Sequence, residues 1–144
     1  MTAIAETLTI DHRRCDDIFA DAEAAVAKSD WQHGDPVFKE FSQALEHHFE
    51  MEESVLFPGF EERTGQTMGP TQMMRQEHIQ MRALLGEMGQ AVALRDRERY
   101  LGLAETLMMI MQQHNMKEEQ ILYRMIDQAF GDEALGLVER MREI

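Results

Sequence analysis

The sequence predicts an all-α fold: a four-helix bundle made of two related helix pairs, with a short helix at the C-terminal end. Three observations carry this. Apolar residues recur at steps of three and four through most of the 144 residues. Helix breakers are sparse, with three prolines (36, 58 and 70) and nine glycines. The chain also matches itself without a gap at an offset of 66 residues. His12 falls on His78, Ala25-Val26 on Ala91-Val92, Asp30 on Asp96, His48 on His114 and Glu52-Glu53 on Glu118-Glu119. Leu56 falls on Leu122, Phe57 on Tyr123, and Asp11-His12 becomes Glu77-His78. A helix pair cannot bury its apolar stripe alone, and two copies are too few for a solenoid, so the pairs are expected to face each other. The chain reads as one domain, 1–144, with repeats at about 8–64 and 74–130.

The first helix is expected from about Leu8 to near Ser29, with Leu8, His12, Cys15, Phe19, Ala22 and Val26 on one face. A break follows at Ser29 to Asp35, and Pro36 suits the first turn of the second helix, where its missing N–H is harmless. The second stripe is Phe41, Leu45, His48, Glu52 and Val55, and Pro58-Gly59 is expected to interrupt or end that helix. Gly65 to Pro70 reads as a loop and Thr71 as the N-cap of the third helix. Its stripe is Met74, His78, Met81, Leu85, Met88 and Val92. A short turn near Asp96 leads to a fourth helix with Leu107, Met111, His114, Glu118 and Ile121 in line. A last helix from about Asp132 carries Leu135, Val138 and Met141 on one face, to cap the bundle or meet a second copy.

Composition narrows the function classes. The formal net charge is −13, which argues against a nucleic-acid face or an anionic membrane surface, since both need clustered Lys and Arg. A single cysteine, Cys15, excludes an internal disulfide framework. Met1 to Thr9 lacks the pattern of a signal peptide, and the longest apolar run, Leu107 to Met111, is too short to span a bilayer. A cytoplasmic setting is therefore expected, with neither nucleic acid nor membrane as partner.

Four histidines and two glutamates sit on the apolar stripes: His12, His48, Glu52, His78, His114 and Glu118. Burying such groups is costly unless they are paired or bind metal. One such histidine would read as an ordinary hydrogen-bonded core residue. Six residues related by one offset point to a metal site. His-x-x-x-Glu places both side chains on one helix face, so two helices offer an imidazole and a carboxylate and two offer an imidazole. Six ligands are too many for one tetrahedral structural zinc. They suit two ions bridged by Glu52 and Glu118, with two imidazoles on each and coordination positions left open. Imidazole and carboxylate with open positions favour iron, with manganese or zinc as lesser options. Ferritin-like sites use more carboxylates and a Glu-x-x-His spacing. A histidine-rich site leans toward binding a diatomic ligand over oxygenase chemistry.

At these residues the sequence resembles the hemerythrin family, in its bacterial HHE cation-binding branch. The segments are His48-Phe49-Glu50-Met51-Glu52-Glu53-Ser54-Val55-Leu56-Phe57-Pro58 and His114-Asn115-Met116-Lys117-Glu118-Glu119-Gln120-Ile121-Leu122-Tyr123, with Asp11-His12 and Glu77-His78 as the single-histidine positions. The resemblance covers roughly residues 8–130. It implies an antiparallel four-helix bundle holding a non-haem di-iron centre, typically oxo- or hydroxo-bridged. It also implies bridging by Glu52 and Glu118, with His12, His48, His78 and His114 as terminal ligands. Family members bind O2 reversibly, sense oxygen or redox state, store or sense iron, or help repair nitrosatively damaged iron centres. The oxygen carriers of the family have a fifth histidine four residues from the third-helix one and a later aspartate bridge. Here those neighbours of His78 are Met74 and Arg82. One ion is thus expected to be less saturated, or to take another ligand.

Other residues are weighed against the site. Asp16, four after His12, is expected on the helix surface rather than on the metal. Cys15 is expected to be a buried, inert thiol. His47 lies about 100° around the helix from His48, at the bundle edge, and His33 lies on the surface. Tyr123, five positions after Glu118, reads equally as a hydroxyl bonding to a ligand residue or as a packed ring. Phe19, Phe41, Leu45, Met81, Leu85 and Met111 are expected to line a dry pocket. The methionines read as a deformable core and not as a copper site. The expected role is binding of O2, NO or a related small ligand for sensing, storage or protection, so the chain is read as a binding protein more than an enzyme. The alternatives are a di-iron protein of nitrosative or oxidative damage repair or peroxide reaction, and an iron store or sensor. A sensor would act through a partner protein or a homodimer.

Overall fold

The link after the first helix shows how local sequence sets the architecture. Ser29 adopts the left-handed region (φ 56°). Its N–H donates to the Val26 carbonyl, and the Asp30 N–H donates back to Ala25, which closes the helix end. The Asp30 carboxylate then accepts from the His33 N–H and starts the next helix. The same turn recurs 66 residues on, at Arg95 (φ 53°), with Asp96 accepting from the Arg99 N–H.

A computed structural model describes residues 2–144. The helices are α1 (Ala3–Ala27), α2 (Trp31–Met51), α3 (Phe57–Thr64), α4 (Pro70–Ala93), α5 (Arg97–Lys117), α6 (Tyr123–Phe130) and α7 (Ala134–Arg142). No strand occurs among the described residues. Two π turns, Glu52–Leu56 and Glu118–Leu122, join α2 to α3 and α5 to α6 without a break. The chain thus forms four long rods. The three-residue links make α1 and α2, and α4 and α5, antiparallel neighbours, and α2 also packs on α4 and α1 on α5. The four-helix bundle predicted from the stripes is therefore present, and α2, α5 and both π turns repeat at an offset of 66. No helix among the described residues is long and apolar enough to cross a membrane.

Several boundaries differ from expectation, each for a physical reason. Helix α1 begins at Ala3, not near Leu8, because the buried Asp127 carboxylate of α6 accepts from the N–H groups of Ile4 and Ala5, at 2.9 and 3.0 Å. That capping charge is 123 residues away in sequence. The break before α2 is only Lys28–Asp30, since Asp30 is the cap, and Pro36 lies inside the helix. Pro58-Gly59 does not end the second rod, which continues to Thr64 and stops at Gly65 in the left-handed conformation (φ 73°). Arg124 stands at the matching place in the fourth rod, so proline does not account for the π turns. Helix α4 starts at Pro70 with Gly69 as N-cap, and Thr71 is buried, donating its hydroxyl to Glu61 at 2.6 Å. Ile121, expected inside, is 57% exposed, because the π turn adds a residue per turn and brings Leu122 inward instead. In α7 the buried face is Ala134, Leu137, Val138 and Met141, the i, i+3, i+4, i+7 stripe, while Leu135 points out. This helix lies against α1 and the first π turn and caps that end of the bundle.

The apolar core has two parts. One gathers Phe19, Phe41, Phe49, Met81, Leu85, Tyr100 and Leu107, and the other Leu8, Leu56, Phe57, Phe60, Met74 and Ile126. Each fully buried Phe or Leu contributes about 1.5–3 kcal/mol relative to exposure. A polar layer lies between the two parts.

Candidate metal centre

All six stripe residues converge in that layer, each 3% exposed or less. They form two overlapping groups whose ligand atoms lie within 4.8 Å of one another. His12, His48, Glu52 and Glu118 form the first position, and His78, His114, Glu52 and Glu118 the second. Both glutamates belong to both positions. Imidazoles thus pair within each helix pair, a point that spacing leaves open. Across the first position, His12 Nε2 stands 3.1 Å from Glu118 Oε1 and His48 Nε2 3.5 Å from Glu52 Oε2. Across the second, His78 Nε2 stands 3.0 Å from Glu52 Oε1 and His114 Nε2 3.2 Å from Glu118 Oε1.

Each imidazole is held from behind by a carboxylate on Nδ1. His12 meets Glu119 at 2.7 Å, His48 meets Asp11 at 2.7 Å, His78 meets Glu53 at 2.6 Å and His114 meets Glu77 at 2.7 Å. These bonds fix each ring with its Nε2 turned inward, the usual arrangement of a metal-ligating histidine. Sequence reasoning assigned these four carboxylates no role. Their signal was the offset itself, which carries Asp11 onto Glu77 and Glu53 onto Glu119. Asp11 crosses to His48 and not to its neighbour His12, which only the packing of α1 on α2 produces.

The two π turns begin at the shared glutamates. In an α-helix a residue five positions on lies about 140° around the axis. The π hydrogen bonds, Phe57 N–H to Glu52 O and Tyr123 N–H to Glu118 O, bring that fifth residue back toward the glutamate. Tyr123 is therefore fully buried in the site, its hydroxyl donating toward Glu52 Oε2 at 2.7 Å and Glu118 Oε1 at 2.9 Å. Phe57 and Phe49 stack on His78, with ring centroids at 5.8 and 4.0 Å. These two rings, unanticipated, are the aromatic walls against an imidazole, whereas Phe19, Phe41, Leu45, Met81, Leu85 and Met111 pack in the first core part.

Charge and burial compete in the layer. Burial opposes charge on His48, but the Glu52 carboxylate and the bond to Asp11 outweigh it and hold the imidazole up at about 10. His114 is likewise held at about 9, against burial, by Glu118, Glu52 and Glu77. Burial would raise the Glu52 carboxyl, yet His48 and the hydrogen bonds around it keep it well below the ordinary range. Burial and then the two glutamates push the Tyr123 phenol well above its own.

A family comparison settles the class. The hemerythrin HHE cation-binding domain model matches residues 3–126. The chain belongs to the hemerythrin HHE family. No curated protein and no solved structure matches it. As a hemerythrin-type helical bundle it carries a cation-binding domain, and its buried His/Glu groups fit a metal site. The fit rests on four buried polar atoms with no hydrogen-bond partner: Glu52 Oε1, His78 Nε2, His114 Nε2 and Glu118 Oε2. Four buried polar atoms left without a hydrogen bond are costly in a protein interior, and a cation among them answers that cost. Of the remaining candidates, Asp16 is exposed and outside both groups, and Cys15 is buried in the apolar core, its thiol pushed up to about 12 by burial and then by Asp11. His33 is exposed and pairs with Asp21, and His47 is half-buried with Nε2 donating to the Ile144 carbonyl. Arg82 turns away from the ligand layer to grip Glu53 and Glu46, and Met74 packs in the second core part.

Proposed function

We propose that the layer holds two iron ions and binds O2 or a related small ligand such as NO, for sensing, storage or protection. Glu52 and Glu118 would bridge the ions, His12 and His48 would hold one, and His78 and His114 the other. The four unpartnered atoms of the layer carry this reading. Imidazole and carboxylate donors with a position left open suit iron over manganese or zinc. Bound ferrous iron supplies electrons and a coordination position for a diatomic ligand.

The rest is the work of the chain. Asp11, Glu53, Glu77 and Glu119 orient the four rings and raise their basicity. The stacked rings of Phe49 and Phe57 keep water from the His78 side. Burial of all six residues to 3% exposure or less supports a diatomic ligand over a bulky organic substrate. The test is metal analysis of anaerobically purified protein, then an optical spectrum before and after O2. Two irons per chain and a visible band that develops with O2 and is lost on degassing are expected. Irreversible oxidation without such a band would sink the O2-binding role, and near-zero metal in folded protein would sink the metal centre itself.

A further inference from the structure

The two positions are not equivalent, and one residue pair breaks the repeat. At the fifth place after each shared glutamate the second rod has Phe57 and the fourth has Tyr123. Both are brought to the site by a π turn. Phe57 offers His78 only a ring face. Tyr123 offers an oxygen, which stands 2.7 Å from Glu52 Oε2, 2.9 Å from Glu118 Oε1, 3.1 Å from His12 Nε2 and 3.3 Å from His48 Nε2. These belong to the same four residues that form the first position.

Resting on the di-iron reading above, we propose that the Tyr123 oxygen is a further ligand of the ion held by His12 and His48, which leaves the ion held by His78 and His114 as the one with the open position for a small ligand. Two lines of geometry converge. Imidazole and carboxylate donors sit about 2.1 Å from an ion, so two donors at right angles stand about 3.0 Å apart. The four distances from the Tyr123 oxygen bracket that spacing, as for a ligand adjacent to all four others. Proton counting agrees. The Nδ1 atoms of His12 and His48 are committed to Glu119 and Asp11. Two Nε2 atoms and two glutamate oxygens thus surround one hydroxyl, which has a single proton to donate. A cation at their centre satisfies all of them and the phenolate oxygen together. On ligation the O–H bond breaks, the oxygen–iron bond forms, and the proton leaves to bulk water with no change in oxidation state. Tyrosinate is a known iron ligand elsewhere in proteins.

The other position has no such oxygen. Phe57, at the equivalent place, brings only a ring stacked on His78 and so supplies no donor there. The place of a fifth histidine beside His78 thus stays empty, and Tyr123 adds its oxygen at the other position.

The ferric protein tests this by iron content, visible absorption and resonance Raman scattering. The chain has two tyrosines, and Tyr100 is buried against Phe38 in the first core part, so a tyrosinate signature reports Tyr123. We expect two irons per chain, a tyrosinate-to-iron charge-transfer band and enhanced tyrosinate ring modes. Tyr123→Phe should lose the band and weaken binding of one iron about 10-fold or more while the second iron is kept. Two irons with no tyrosinate signature would overturn the ligation and leave the di-iron reading standing. Absence of iron would overturn both. The wild-type spectrum decides the point even where Tyr123→Phe does not fold.

Discussion

The two halves of the bundle present the same ligands and surround them with different charges. Behind the second position, the Glu53 carboxylate on His78 is clamped by Arg82 through two bonds, at 2.8 and 3.0 Å, and the Glu77 carboxylate on His114 is paired with Lys117. Behind the first position those cations are missing. The offset carries Arg82 onto Asp16 and Lys117 onto Met51. Asp11 keeps an exposed partner in Arg14, at 3.2 Å, and Glu119 is held by His12. Helix starts, π turns and imidazole–carboxylate bonds repeat because the packing of the rods demands them in both halves. The outer charges and the fifth-place residue do not repeat, because nothing in the packing requires it. A duplicated scaffold therefore sets two like His/Glu groups in unequal surroundings.

The strongest way to probe the comparison is at the residues both positions share. Glu52→Gln or Glu118→Gln should lower metal affinity at both positions, by more than about 100-fold, read as iron per chain after chelator challenge. Loss of one iron alone would mean that the glutamates do not serve both. Next come the outer carboxylates. Glu53→Gln and Glu119→Gln each remove an orienting partner, with an expected loss of about 10–100-fold in affinity. The Glu53 change should fall at the upper end, because it also removes one of the two carboxylates that hold Arg82, leaving Glu46 alone. Equal losses would remove the charge asymmetry from the account.

The acid and alkaline limits of stability give a third, smaller readout, on protein stripped of metal by chelation. Against burial, Arg82 and His78 hold Glu53 below its ordinary 4.5, and Lys117 and His114 do the same for Glu77. Depressed carboxyls contribute stability above 4.5 that is lost as pH falls through their folded values. The raised imidazoles behave in the opposite sense, contributing fully below 6.5 and losing it as pH rises through about 9 for His114 and about 10 for His48. The urea midpoint should therefore be highest between 4.5 and 6.5. Arg82→Ala should move the acid limb to higher pH, and metal should remove the alkaline limb by binding neutral imidazoles. An acid limb unmoved by Arg82→Ala would detach that cation from Glu53. The smallest expected effect is at His33, outside both halves of the site. His33→Ala should change metal content by less than about twofold, and a larger loss would contradict the ligand grouping.

Much of this was legible in the chain, and the exceptions have a common cause. The four rods and most of their buried faces follow from local rules: side-chain period and backbone hydrogen bonds within a turn. The six convergent residues were legible for the same reason, as polar groups on apolar stripes. Ile121 was misplaced because the π turn changes the period where the sequence shows no breaker. The start of α1 was misplaced because its cap comes from Asp127, not from its own first turn.

The sequence by itself thus determined which side chains face the core and that two halves of one pattern would meet. Tertiary structure alone decided which imidazoles share a position and that Asp11 orients His48. It also placed the Tyr123 oxygen among the donors of one position and the Phe57 ring on His78 of the other. Facing direction is set by bonds between residues four apart along one helix. Partnership is set by how separate rods pack, across 37 residues for Asp11 and His48 and 111 for His12 and Tyr123, and no local period encodes that placement.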